Sequence, residues 1–273
     1  YWLRVYEIPE GTRSTKGRAL QNLIQIDRDD RVLAFMTVQD LEDEDFLHSH
    51  YVVMSTNNGV IKKTSLEEYS RPRQNGIIAI NVAEDDRLLT ARLVDNQSEI
   101  IMATRYGNAI RYKAEELRSM GRNTSGVRGI RLAEEDDACI GMVIVNRPNA
   151  HLLTISEYGF GKRTSLQEYR LQSRGGKGLK TISITHKTGH LIGLLEVNDN
   201  DDMMILTRAG LAIRMAINSI PITGRATQGV KLIRLKAEDQ IASVIRLPES
   251  PGEEDELPPD AAAPDTDADN ETS

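Results

Sequence analysis

Cysteine is nearly absent. Cys139 is the only one in 273 residues, which excludes an internal disulfide and fits a reducing, cytoplasmic compartment. Its neighbours in Cys-Ile-Gly-Met-Val-Ile-Val are apolar, which favours a buried thiol over a nucleophile. Aromatic residues make up only 4% of the chain, so the core must come from Ile, Leu, Val and Met. Stacking platforms for single-stranded nucleic acid are correspondingly sparse. No apolar run reaches the roughly 18 residues of a membrane-spanning helix. The start, YWLRVYEIPE, shows no initiator Met and no signal-peptide pattern, and reads as a cut from something longer. Metal and catalytic constellations are missing too. His186 and His190 bracket Gly189 in a turn-like stretch, and His48 and His50 have no nearby third ligand. Asp199–Asp202 lacks the glycine and distal glutamate of a calcium loop. No nucleophile motif supports a Ser-His-Asp arrangement.

What is present is an uneven charge. The formal net charge is −7, but Pro248–Ser273 holds ten acids and no base. Without that tail, 34 basic residues face 31 acidic ones. Residues 248–273, rich in Pro, Ala, Asp and Glu, are expected to be disordered, and residues 1–247 to form the folded domain.

The body repeats itself. Glycines at 17, 76, 126, 178 and 229 recur at spacings of 59, 50, 52 and 51, each in a basic loop. A second set, Gly59, Gly107, Gly159 and Gly210, lies 17 or 19 residues ahead of its partner. Each unit has one plan: an apolar run such as YVVMST or HLLTIS, a glycine turn, a basic strand, a short SLEEY-like stretch, the basic loop, a strand, an acidic turn and a last apolar strand. About four strands in some 50 residues predict an all-β, propeller-like array of four-stranded blades, because one such sheet cannot bury both of its faces alone. Four units are complete; the first, residues 1–47, lacks its leading apolar strand.

A charge that repeats in sequence becomes a band once the units close around an axis. The loops carry Arg13 and Lys16; Arg71 and Arg73; Arg122 and Arg128; Arg174, Lys177 and Lys180; Arg225 and Lys231. The hairpins add Lys62, Lys63, Arg111, Lys162, Arg163 and Arg214. A periodic positive rim suits a periodic polyanion, duplex DNA, through phosphate contacts that carry little sequence information. Glycines such as Gly175 and Gly176 would let a phosphate approach backbone N–H groups. The loop around them is neither a nucleotide P-loop, since Gly178 rather than Ser or Thr follows Lys177, nor a dinucleotide fingerprint, since a strand-like run follows it.

The heptad Gln172-Ser173-Arg174-Gly175-Gly176-Lys177-Gly178 matches the gyrase A box, Q-R-R-G-G-K-G, at six of seven positions. With YWLRVYEIPEGTRSTKGR, NGVIKKTSLEEY, GRNTSGVRGIRL, GFGKRTS and GRATQGVKLIR, it makes residues 1 to about 247 resemble the C-terminal domain of the DNA gyrase A subunit. That resemblance implies a six-bladed β-pinwheel, with strands exchanged between neighbouring blades, that wraps duplex DNA and supports ATP-dependent negative supercoiling. It implies as partners the catalytic N-terminal part of the gyrase A subunit and the gyrase B subunit, in an A2B2 assembly at the bacterial nucleoid. ATP and Mg²⁺ would be bound elsewhere in that assembly, with no cofactor or catalytic residue in this stretch. In the family the box precedes the segment equivalent to YWLRVYEIP; here the match falls in the fourth unit's loop. The related module of the topoisomerase IV A subunit, a protein-binding propeller and a propeller hydrolase are the rival readings. The hydrolase would need acids or histidines converging at the ring centre, and none is evident.

Overall fold

The computed structural model describes residues 1–12, 15–27, 30–236 and 238–248. Arg13 and residues 249–273, nearly the whole acidic tail, lie outside the described residues. A short helix, α1 (Glu44–Ser49), leads from the N-terminal unit into β1 (His50–Thr56), β2 (Val60–Ser65) and β3 (Leu88–Asp95). The second unit supplies β4 (Glu99–Thr104), β5 (Asn108–Lys113), β6 (Val127–Arg128) and β7 (Cys139–Val145). The third supplies β8 (His151–Ser156), β9 (Phe160–Ser165), β10 (Leu179–Lys180) and β11 (Leu191–Val197). The fourth supplies β12 (Asp202–Thr207), β13 (Ala212–Ala216), β14 (Val230–Lys231) and β15 (Ile241–Leu247).

The four strands of a unit do not stay together. The sheets run β3-β1-β2-β6, β10-β5-β4-β7, β11-β8-β9-β14 and β13-β12-β15. Each two-residue loop strand therefore leaves its own unit and pairs with the hairpin of the unit before it, as in Val60↔Arg128, Asn108↔Lys180 and Phe160↔Lys231. Among the described residues there are four sheets, here called blades A to D, against the six that the resemblance implies. The N-terminal unit holds no strand among its described residues; Trp2 closes onto blade A by donating its indole N–H to the Tyr69 carbonyl at 3.0 Å.

The core lies between blades rather than within them. Side chains alternate across a strand, so Val53 packs toward blade B while Val52 packs toward the N-terminal unit. Likewise Ile100 and Met102 face blade A, whereas Ile101 and Ala103 face blade C. Both faces are covered, which is why these strands read as continuous apolar runs. At about 1.5–3 kcal/mol for each fully buried aliphatic side chain, the interblade layers are the main source of stability. Cys139 sits in one of them, and burial pushes its thiol up to about 12, which leaves it unreactive at neutral pH.

Candidate nucleic-acid interface

The repeated glycines serve strand exchange. Gly126, Gly178 and Gly229 have φ of +98°, +76° and +77°, and an added Cβ would lie 2.6, 2.4 and 2.5 Å from the carbonyl oxygens of Ile61, Ala109 and Gly161. The hairpin-turn glycines meet the same strands from the other side: the carbonyls of Gly59, Gly107 and Gly159 accept from the amides of Gly129, Thr181 and Leu232 at 2.7–2.8 Å. The two glycine sets are therefore the two halves of one interblade clasp, each hairpin glycine meeting the loop of the following unit. Gly175, expected to offer its amide to a phosphate, instead donates it to the Gly129 carbonyl at 2.7 Å.

Successive loops are also joined to one another. Asn81 donates to Thr124 O at 3.1 Å, Arg131 to Gly176 O at 2.8 Å, and Ser183 to Thr227 O at 3.1 Å. The basic loops thus form one hydrogen-bonded band. On it Arg71, Arg73, Arg128, Arg174, Lys177, Lys180 and Lys231 are exposed, as is Lys16 in the N-terminal loop, which none of these bonds reaches; none of the eight pairs with a carboxylate among the described residues. Arg131 and Arg234 are exposed as well. Both stand five residues past a loop glycine, and that shared offset is the signal that would have found them.

The hairpin cations are the correction. Lys62, Lys63, Lys162 and Arg163 are buried and present no charge to the rim. Lys62 Nζ donates to Ala79 O at 2.7 Å and to Arg122 O, and Lys162 Nζ to Gly224 O and Arg225 O. Lys63 donates to Asn96 Oδ1 at 2.6 Å and to Ala114 O at 2.9 Å, beneath the Tyr51 ring. Arg163 reaches Ile220 O at 2.7 Å and pairs with Asp199. Arg111 is half-buried, held by Glu99 and by the Tyr169 carbonyl at 3.1 Å. Arg214 alone of the set stays exposed, paired with Asp202 at 2.6 Å. All but Arg214 satisfy backbone carbonyls where loops cross between blades, groups that are costly to bury unpaired. Tyr69 and Tyr169 are buried at equivalent positions. In the acidic run Asp199–Asp202, Asp201 is buried and holds Arg147 at 2.9 Å.

Burial lowers both Lys62 and Lys162 from 10.5 to about 8. The folded pKa lies below the unfolded one. Between about pH 8 and 10.5 the unfolded chain therefore holds protons that the folded chain has lost, and stability rises with pH across that window. Above about pH 10 the buried Tyr69, Tyr112 and Tyr169, all raised by burial, act in the opposite direction. In denaturant titrations from pH 7.5 to 10, the unaltered chain should gain stability relative to a Lys62→Met/Lys162→Met variant. A pH-independent difference would contradict the buried ammonium groups.

Within its described residues the chain has no group of three or more His, Cys, Asp or Glu placed to hold a metal ion. A family described as DNA gyrase C-terminal domain, beta-propeller matches residues 1–39, 50–95, 98–146, 150–198 and 201–248. The DNA gyrase A subunit of Staphylococcus aureus (strain MRSA252) is 38% identical over 94% of this chain, and that of Klebsiella oxytoca 37% over 94%. The chain spans 28% of the length of each. A solved DNA gyrase A C-terminal domain superposes with a TM-score of 0.76 at 22% identity, covering 90% of this chain and 78% of that one. The C-terminal domain of DNA topoisomerase IV gives 0.80 at 23%, covering 90% and 75%. At such identities the superpositions establish the propeller fold alone. The five matched segments coincide with the five units found in the sequence, and the chain belongs to the DNA gyrase C-terminal domain family of β-propellers.

Proposed function

We propose that this chain binds duplex DNA in a sequence-tolerant way and wraps it along its loop band, as the C-terminal part of a DNA gyrase A subunit. In that role it would present DNA to catalytic machinery elsewhere in an ATP-dependent, negatively supercoiling assembly with the gyrase B subunit. One observation carries the reading: exposed cations without carboxylate partners among the described residues recur along a single hydrogen-bonded band, with Arg128, Lys180 and Lys231 each two residues beyond a clasp glycine. Their recurrence from loop to loop suits a repeating polyanion better than a compact ligand. Nothing in the band resembles a helix aimed at base edges, so phosphate contacts dominate and affinity should fall steeply with salt.

Bending a short duplex costs about 1–6 kcal/mol, which several phosphate contacts together can offset. The test is topological. Nicked circular plasmid is mixed with increasing protein, sealed with ligase and stripped of protein. A linking-number change that grows with protein is the expected result. A gel shift without any linking change would instead favour the second reading, a delivery module like that of topoisomerase IV. No binding at low salt would leave the protein-binding propeller.

A further inference from the structure

The three arginines that stand four residues before a clasp glycine, Arg122, Arg174 and Arg225, are equivalent in sequence but not in structure. Arg122 is held twice by blade A, its carbonyl by the buried Lys62 ammonium and its side chain by Glu68 at 3.4 Å. Arg225 is held by blade C in the same way. Lys162 takes its carbonyl, and Glu168 accepts from its amide at 2.9 Å and lies 4.0 Å from its guanidinium. The Arg225 guanidinium also donates to Lys180 O at 2.9 Å.

Blade B, which receives the Arg174 loop, lacks this clamp. Ile110 stands where blades A and C have Lys62 and Lys162. Glu116 holds the position of Glu68 and Glu168, yet it forms no ion pair with Arg174 among the described residues. Arg174 is exposed, and its side chain's one hydrogen bond among the described residues is a 3.3 Å contact to Arg128 O. That contact sets it beside Arg128, with Lys177 three residues along its own loop; all three are exposed and without a carboxylate partner among the described residues.

Building on the duplex-binding reading, we propose that Arg174 is the member of this trio that contacts DNA phosphate directly, whereas Arg122 and Arg225 are positioning residues, half-buried and turned toward Glu68 and Glu168. The box-like loop is then set apart by what its acceptor blade omits as much as by its own glycines. The prediction separates charge from structure. In fluorescence-anisotropy titrations of a duplex of about 40 base pairs over a range of salt, Arg174→Ala should reduce the log–log salt slope by about 0.9, one phosphate contact. Arg174→Lys should keep that slope, because a point charge still meets a phosphate. Arg122→Ala and Arg225→Ala should leave the slope unchanged while lowering the melting temperature. If either flattens the slope as much as Arg174→Ala does, or if Arg174→Ala leaves it unchanged, the assignment is wrong. Should Arg225→Ala not fold, Glu168→Gln serves in its place: freed Arg225 then adds a contact and the slope steepens by up to about 0.9, and an unchanged slope would overturn the bracing role. Absence of binding by the unaltered chain would overturn the duplex reading itself and this assignment with it.

Discussion

Replacing Arg71, Arg73, Arg128, Lys177, Lys180 and Lys231 together by alanine is expected to abolish most DNA binding at moderate salt while leaving the fold intact. The six side chains are exposed and none pairs with a carboxylate among the described residues, so their removal breaks no ion pair there; Lys231 gives up a 5.7 Å approach to the Phe160 ring, worth about 0.5–1 kcal/mol at an exposed site. Surface substitutions of this kind usually change stability by no more than about 0.5 kcal/mol each. Binding is a different matter. Each phosphate neutralised contributes about −0.9 to the slope of log affinity against log salt. Six lost contacts would flatten that slope by roughly 5, and affinity near 100 mM salt would fall by about 10³-fold or more. The measurement is a salt series on the unaltered and sixfold-substituted chains, with thermal melts alongside. A slope that stays within one unit of the original would move the interface off the loop band altogether.

Much of this was legible in the sequence, and the repeats are the reason. Five basic loops in register gave the blade plan, and the paired glycines marked the places where chains cross. The two-residue strands β6, β10 and β14 were not legible as exchanged partners, because two residues cannot display a period. Only the inference from family resemblance pointed to exchange. The buried cations were misread for a chemical reason. Lys-Lys and Lys-Arg in a hairpin look solvent-facing, since long charged side chains seldom lie fully inside unless paired. A hint existed nonetheless. The position of Lys62 and Lys162 is Ile110 in the second unit and Ile213 in the fourth. A site that accepts isoleucine in equivalent repeats is an inward-facing one, and lysine there must bring its ammonium to carbonyls. The repeats thus carried the burial information, but only when compared position by position rather than summed as charge.

The same comparison makes Gly178→Ala the substitution with the largest expected cost to the fold. Two penalties coincide at this residue. Its φ of +76° is one that alanine adopts at a cost of about 1 kcal/mol. Its Cβ would also lie 2.4 Å from Ala109 O and 2.7 Å from Ala109 C, atoms of β5 that cannot shift without parting β10 from the sheet. The neighbouring interblade layer would open with it, since Ile182 is fully buried there against Ala103 and Leu191. A loss of roughly 3–5 kcal/mol follows, in the range of core disruption, or about 6–20 °C in melting temperature for a domain of this size. Gly210→Ala is the internal control: its φ is +85°, but nothing lies within 4 Å of the added Cβ, so only the conformational penalty remains. A melting-temperature loss at Gly178 several times that at Gly210 is the expected result. Equal losses would mean that the loop glycines are needed only for their backbone angle and that the clasp between blades is not close-packed. Because Lys177 and Lys180 flank the residue, Gly178→Ala should also weaken DNA binding below its melting temperature. The clasp that holds the blades together would then be the same element that places the rim charges.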